Sequence, residues 1–179
     1  MTKMEQIAGI HGTSRSRAEN ILREGFRPGL GMCGYAVYFF ECSRQGMERA
    51  KGYYRLGLER LGQYEQDDLD EAALILAQIV AEKQCVIDLD DPALRDRLQS
   101  AWEANRERLH RDDHQAKNLF YDALLRRFES ALQRDFKVCW STLPMNKKYI
   151  GVKKSRVLFV RSMECIRSVE LLEDGYECE

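Results

Sequence analysis

The sequence lacks the features of a membrane or secreted protein. None of its apolar runs approaches the roughly 20 residues that span a bilayer, and its first residues do not have the pattern of a signal peptide. Its six cysteines form no CxxC pair and no histidine stands at zinc-finger spacing, which argues against a zinc site. These absences predict a cytoplasmic protein with reduced thiols, no membrane attachment and no bound metal.

The chain also has almost no net charge. Its 28 lysines and arginines nearly balance 29 aspartates and glutamates, for a formal net charge of -1. Bulk electrostatic capture of nucleic acid therefore has no support, although a local basic patch is compatible with this balance. A hydrophobic content of 44% is enough to bury a core, and a length of 179 residues favours one domain over 1–179, with two small domains as the alternative.

Local patterns predict an α+β fold. Strands are expected at 5–12, 36–40, 72–80, 85–89, 136–140, 156–161 and 166–172, although 72–80 also has features of a helix. Helices are expected to follow three capping signals, namely Ser14 or Ser16, Ser43, and Asp91 with Pro92. The last signal begins a helical region from about 92 to 134 that breaks near 111–113. Glycine, proline and polar residues predict loops at 27–34, 63–70 and 143–148.

The most informative stretch of the sequence joins several short motifs within its first third. They are His11-Gly12-Thr13, the run from Ala18 to Gly25-Phe26, the run from Gly34 through Tyr38 to Phe39, and Ala50 with Tyr53. Glycines allow close approach of the backbone to a ligand. An aromatic face attracts a cation by about 0.5–2 kcal/mol. The stretch could therefore hold a flat, positively charged heterocycle such as nicotinamide.

In these motifs and in their order, the sequence resembles the diphtheria-toxin-like branch of the ADP-ribosyltransferases, which includes the poly(ADP-ribose) polymerases. The resemblance covers about the first 55 residues. It implies an ADP-ribosyltransferase-like fold of split antiparallel β-sheets with flanking helices, here with a helical insertion at about 92–134. It also implies that NAD+ is the substrate and that no metal is needed.

The same resemblance implies roles for the first motif. His11 would hydrogen-bond the adenosine-side ribose of NAD+, and the backbone of Gly12 would pair with the nicotinamide carboxamide. Thr13, the third residue of the motif, is likewise expected to contact the cofactor.

It also implies an aromatic clamp. Tyr38 would stack on the nicotinamide ring, and Tyr53 or Tyr54 on the next helix would cover its other face. Arg27, in the loop after the Gly-Phe run, would face the diphosphate of the cofactor.

The late strand departs from the family pattern. Many members place a glutamate there to hold the reacting ribose and polarise the acceptor, and Val157 matches that position, within one or two residues. His11, Tyr38 and Val157 would then occupy the catalytic positions. An apolar residue at the glutamate position resembles the mono-ADP-ribosyl-transferring or the inactive members of the family. The resemblance therefore implies that chain elongation does not occur, whereas a single transfer can proceed if the acceptor supplies its own base. Glu41 or Glu164 could supply a carboxylate from elsewhere, and the sequence places neither.

The sequence therefore predicts an NAD+-dependent mono-ADP-ribosyltransferase that releases nicotinamide and modifies a macromolecular acceptor, either protein or nucleic acid. A free-standing chain of this size resembles bacterial or phage toxins and antiviral defence effectors. Two alternatives are a catalytically degenerate NAD+- or ADP-ribose-binding module and an interaction protein whose helical middle binds a partner. The pairs Arg126-Arg127, Lys147-Lys148 and Lys153-Lys154 are either solvated surface charges or contacts for a polyanionic acceptor.

Overall fold

The computed structural model describes residues 2–68, 71–107, 113–173 and 176. Over these residues the chain forms eight strands and five helices. They are β1 (Met4–Ser14), α1 (Arg15–Glu24), β2 (Gly29–Gly31), β3 (Gly34–Glu41), α2 (Arg44–Arg60), β4 (Ala72–Glu82), β5 (Val86–Asp88), α3 (Pro92–Arg106), α4 (His114–Leu132), β6 (Val138–Pro144), α5 (Lys147–Ile150), β7 (Lys154–Val160) and β8 (Ile166–Leu171). This mixed α/β arrangement is consistent with the predicted α+β class, and each of the seven predicted strands is present.

The strands form a sheet of order β5-β6-β7-β3-β1-β4-β8, with β2 paired to β3 alone. All neighbours are antiparallel except β5 and β6. Strand β3 joins two halves of the sheet: Val37–Phe39 pair with β7, while only Phe40 and Glu41 pair with β1. Beyond Ile10, β1 and β3 therefore diverge, and a cleft opens between them.

Local capping explains where the helices begin. The Ser14 side chain accepts a hydrogen bond from the Arg17 amide at the start of α1, so Ser14 rather than Ser16 is the cap. Ser43 caps α2 through the Gly46 amide, at 3.0 Å. Asp91 caps α3, where Pro92 takes the first helical position without losing an intrahelical hydrogen bond.

The predicted helical region after Asp91 consists of two helices, α3 and α4, inserted between β5 and β6. Most of the predicted break lies outside the described residues; within them, Asp113 caps α4 through the Ala116 amide at 2.8 Å. Helix α4 packs on the sheet because Leu124 and Leu125 are buried against Phe159 and neighbouring core residues. The insertion thus shares one hydrophobic core with the strands.

Two predicted loops are wrong in part. Residues 27–34 contain β2, whose pairing with β3 forms a hairpin that turns at Met32 and Cys33 and enters β3 at Gly34, where φ is 84°. Residues 143–148 contain the end of β6 and the start of α5, which Asn146 caps. The predicted loop 63–70 has no helix or strand over its described part, 63–68, although Tyr64 is buried there.

Across the described ranges, no helix combines the length and the hydropathy needed to cross a bilayer.

Candidate functional site

A cavity of about 730 Å³ lies where β1 and β3 diverge. Its walls come from α1, the β2–β3 hairpin, α2 with the segment after it, and the connection between β6 and β7. Small-molecule sites have volumes of about 300–1,000 Å³, so this cavity can hold a sizeable ligand. It brings together all seven predicted site residues, which are His11, Gly12, Thr13, Arg27, Tyr38, Tyr53 and Val157.

The strand register directs the backbone of Gly12 into this cleft. Gly12 lies opposite Leu74, whose carbonyl oxygen accepts from the Leu172 amide on the other side of β4. Ala8 lies four residues earlier, so its backbone groups point to the same side of β1 as those of Gly12. Its carbonyl oxygen accepts a hydrogen bond from the Cys42 amide, on the β3 side. Because such residues in an antiparallel strand direct both backbone groups to one side, Gly12 points its N–H and C=O away from β4. The β1–β3 pairing has ended at Ile10, so these groups face the cavity.

Close helix packing explains why position 12 is glycine. A Cβ at Gly12 would collide with the backbone carbonyl oxygen of Ala50 on α2. The residue is therefore required by the approach of α2 to β1, and what it can offer a ligand is its backbone.

His11 bridges the gap between the diverging strands. Its Nδ1 lies 2.9 Å from the Tyr38 carbonyl oxygen. Because a carbonyl can only accept, Nδ1 carries the proton. Burial lowers the pKa of His11, with the hydrogen bond to Tyr38 opposing that shift to a smaller extent. The imidazole is therefore neutral at pH 7, and its Nε2 can accept a hydrogen bond from a ligand hydroxyl.

Two aromatic rings hold the imidazole in place. The Phe26 ring contacts it edge-on at 5.2 Å between centroids, and the Phe39 ring does so at 5.9 Å. These contacts fix the direction in which Nε2 points.

The hydroxyl of Tyr38 is fully engaged inside the β2–β3 hairpin. It accepts from the Cys33 amide at 2.9 Å and donates to the Gly34 carbonyl at 3.0 Å. One face of the ring stacks on Phe159, at 5.8 Å and 24°. Burial raises the pKa of Tyr38, so the phenol stays protonated. Its contribution at the cavity is an aromatic surface rather than a base.

Of the two candidate tyrosines on α2, only Tyr53 lines the cavity, and its side chain is 39% exposed. Tyr54 is buried and packs on Tyr64, at 5.0 Å between ring centroids. Thr13 is also buried, and its hydroxyl hydrogen-bonds the Tyr64 side chain. This hydrogen bond holds the Thr13 side chain against Tyr64, which also lines the cavity.

Sequence reasoning missed Arg17 and Tyr64. Arg17 lines the cavity from the first turn of α1, with its guanidinium 4.7 Å above the Tyr64 ring and 3.0 Å from Asp67. The predicted arginine, Arg27, lines the rim, is 83% exposed and pairs with Glu24 at 2.9 Å. The position of Arg17 one turn after the His-Gly-Thr motif was the available signal.

The late strand supplies no carboxylate. Val157 is only 3% exposed and lies in an apolar cluster with Ile10 and Phe40. Neither alternative glutamate lines the cavity: Glu41 ends β3, and Glu164 pairs with Lys137 at 2.7 Å. Among the described residues that line the cavity, Glu24 carries the one carboxylate, and Arg23 and Arg27 already pair with it.

Comparison with known proteins adds little. No protein-family model matches the chain, and no curated protein matches it. One solved structure that it resembles is the Mycobacterium tuberculosis MbcT–MbcA toxin–antitoxin complex, with 16% identity over 96% of this chain and 86% of that one. The TM-score is 0.43, and we draw no conclusion from a likeness at that level.

Proposed function

We propose that the chain binds NAD+ in this cavity and transfers ADP-ribose to an acceptor. The observation that carries the proposal is the pair of Gly12 backbone groups directed into the cleft between His11 and Tyr38. A carboxamide has a donor and an acceptor in one plane, which matches an N–H and a C=O presented together. A nicotinamide held there would lie beside the aromatic surface of Tyr38.

The other residues of the cavity fit the rest of the substrate. Tyr53 projects from α2 into the same space and would cover the ring opposite Tyr38. Both rings attract the cationic pyridinium by roughly 0.5–2 kcal/mol each. The Nε2 of neutral His11 would accept from a ribose hydroxyl, while Arg17 or Arg27 would face the diphosphate.

In the proposed reaction, the bond between the ribose anomeric carbon and the nicotinamide nitrogen breaks, and its electron pair leaves with neutral nicotinamide. The acceptor nucleophile forms the new bond to that carbon and loses a proton. With valine at position 157, no carboxylate of the late strand can take this proton. The acceptor itself or the solvent takes this proton instead. Because no carboxylate of the late strand can activate a ribose hydroxyl as the next acceptor, we expect transfer of a single unit rather than chain growth.

The buried Val157 also favours a second candidate, an NAD+- or ADP-ribose-binding protein without turnover. A toxin or defence role, and the interaction-protein alternative, stay predictions.

Incubation with NAD+ labelled on the adenosine distinguishes the candidates. We expect bound NAD+, released nicotinamide and label on a macromolecule. We expect Tyr53→Ala to weaken NAD+ binding several-fold through loss of the stacking contact. Tyr35→Ala is the matched control, because Tyr35 is an exposed tyrosine outside the cavity wall. Binding without nicotinamide release would favour the second candidate, and absence of binding would exclude both.

A further inference from the structure

The charges of the chain are balanced overall but not locally. Residues 136–163 contain no aspartate or glutamate. They contain seven basic residues, which are Lys137, Lys147, Lys148, Lys153, Lys154, Arg156 and Arg161. Five of the seven lie at residues 144–156, the end of the β6–β7 hairpin, which we call the basic tip.

The basic tip is a defined structure rather than a loose loop. Pro144 pairs with Lys154, and the Met145 amide donates to the Lys153 carbonyl at 2.8 Å. Helix α5 closes the tip and packs tightly on α2, because a Cβ at Gly52 would collide with the Tyr149 carbonyl oxygen. The backbone that carries the lysines of the tip is thus held in one conformation.

Positive charge exceeds negative charge at the tip. Its four lysines and Arg156 are exposed, and Arg49 of α2 joins them by donating to Ser155 Oγ at 3.0 Å. Three carboxylates border the same region: Asp88 pairs with Arg156, Glu59 accepts from Tyr149, and Asp90 accepts from Thr142. Six cations against three carboxylates leave a surplus of three positive charges.

The basic tip also forms one wall of the cavity. Its residues Pro144, Met145, Asn146 and Ile150 line the cavity. A polyanion bound along the lysines would therefore pass the mouth of the candidate NAD+ site, where an acceptor must lie.

The position of Arg156 favours nucleic acid over an acidic protein as the ligand of the basic tip. The guanidinium of Arg156 lies over the Trp140 ring, 5.1 Å from its centroid, while the Arg156 side chain stays 52% exposed. A planar guanidinium of this kind stacks on bases, and lysines beside it neutralise phosphates. The carboxylates of an acidic peptide would bind the N–H edge of the guanidinium and would leave its exposed face unused.

We propose that the basic tip binds single-stranded nucleic acid and holds it at the mouth of the cavity as the ADP-ribose acceptor. Binding by the tip stands by itself, whereas the acceptor role rests on the proposed function.

Fluorescence anisotropy with labelled single-stranded RNA and DNA of about 15 nucleotides, without NAD+, tests the binding. We expect Lys147→Glu with Lys153→Glu to weaken binding by about tenfold or more at low salt. The slope of log K against log salt should become shallower by about 1.4, because each lost phosphate contact on a single strand removes roughly 0.7. Lys147→Gln with Lys153→Gln should lower affinity in the same direction and guards against misfolding of the first variant.

Lys83→Glu with Arg167→Glu is the charge-matched control, because both side chains are exposed and lie outside the tip, Lys83 after β4 and Arg167 on β8. It should bind like the unmodified chain. An equal loss in this control, polyglutamate competing as well as the oligonucleotide, or no binding at low salt would each overturn the proposal.

The acceptor role is measured separately with labelled NAD+ and an oligonucleotide. The tip variants should bind NAD+ normally and transfer several-fold less label to the oligonucleotide. If the chain binds the oligonucleotide but not NAD+, the proposed function fails and the tip proposal stands. If NAD+ binds and label reaches only protein with the oligonucleotide in excess, the acceptor role is overturned.

Discussion

At the scale of single residues, His11 links the site to pH. Burial lowers its pKa in the folded chain from the ordinary value of 6.5. As the pH falls through 6.5, the unfolded chain gains a proton that the folded chain does not. The stability associated with His11 is therefore fully present above pH 6.5 and is lost as the pH falls toward the folded-state pKa, by at most about 1.4 kcal/mol per pH unit.

Urea unfolding measured between pH 7 and about 5 tests this linkage. We expect His11→Gln, whose amide can still donate to the Tyr38 carbonyl, to flatten the dependence. His114→Gln is the matched control, because it removes a histidine from the exposed start of α4. An unchanged dependence in His11→Gln would contradict a neutral, partly buried imidazole.

Gly12 gives a second prediction for a single residue. A Cβ there would meet the Ala50 backbone, which cannot move aside as a flexible side chain could. We expect Gly12→Ala to lower the free energy of unfolding by about 1–3 kcal/mol, the usual cost of overpacking. At Gly29 a Cβ would meet open space, so Gly29→Ala should leave stability near its original value. Equal stability of the two variants in thermal unfolding would show that α2 does not press on β1 as described.

At the scale of elements, success in prediction followed how local each signal was. Ser43 and Asp91 predicted helix starts because a cap acts within one turn of its own helix. Strand β2 was missed because it exists through pairing with β3. Helix α5 was missed although Asn146 caps it, because it has only four residues and depends on packing against α2. Nothing within either short segment specifies its partner.

The same distinction applies to the candidate site. The predicted His11, Gly12, Tyr38 and Tyr53 all line one cavity, since their motifs lie on elements that the sequence indicated clearly. Tyr64 was expected to lie in a surface loop. It is buried instead because Tyr54 of the preceding helix packs on it, together with Thr13 and Arg17, which are both distant in sequence.

The insertion also contributes to the site through Asp122 of α4. This buried carboxylate accepts from the Tyr35 amide at 3.1 Å and from Arg126 at 2.8 Å. The adjacent Gly34 packs against Asp122 and accepts from the Tyr38 hydroxyl. Asp122 is therefore a positioning residue for the hairpin that carries Tyr38.

We expect Asp122→Ala to destabilise the chain by about 1–3 kcal/mol, because it removes a buried carboxylate that accepts from the Tyr35 amide and from Arg126. It should also weaken NAD+ binding through Tyr38. Asp122→Asn keeps an acceptor for the Tyr35 amide and should restore most of the NAD+ affinity. Calorimetric titration with NAD+ can measure the affinities of the two variants. If both bind NAD+ equally weakly, the hydrogen bond from the Tyr35 amide to residue 122 does not position the hairpin.

At the scale of the whole molecule, the cavity joins distant parts of the chain. Its walls extend in sequence from His11 to Val157, and they belong to both halves of the divided sheet. A ligand that fills it therefore binds the folded chain and not the unfolded one. By mass action, NAD+ at a hundred times its dissociation constant should stabilise the fold by about 2.7 kcal/mol.

Thermal unfolding with NAD+, NADH and nicotinamide shows which parts of the ligand contribute to this stabilisation. NADH has the size of NAD+ but a neutral nicotinamide ring, so it loses the attraction of the pyridinium to both Tyr38 and Tyr53. At about 0.5–2 kcal/mol for each ring, it should bind roughly 5- to 850-fold more weakly. At equal concentration its shift in Tm should be smaller than that of NAD+. Nicotinamide alone should give a smaller shift than NAD+, because it leaves most of the cavity of about 730 Å³ unfilled. Equal Tm shifts for NAD+ and NADH would show that the positive charge of the ring does not contribute to recognition, since the two ligands share every other group.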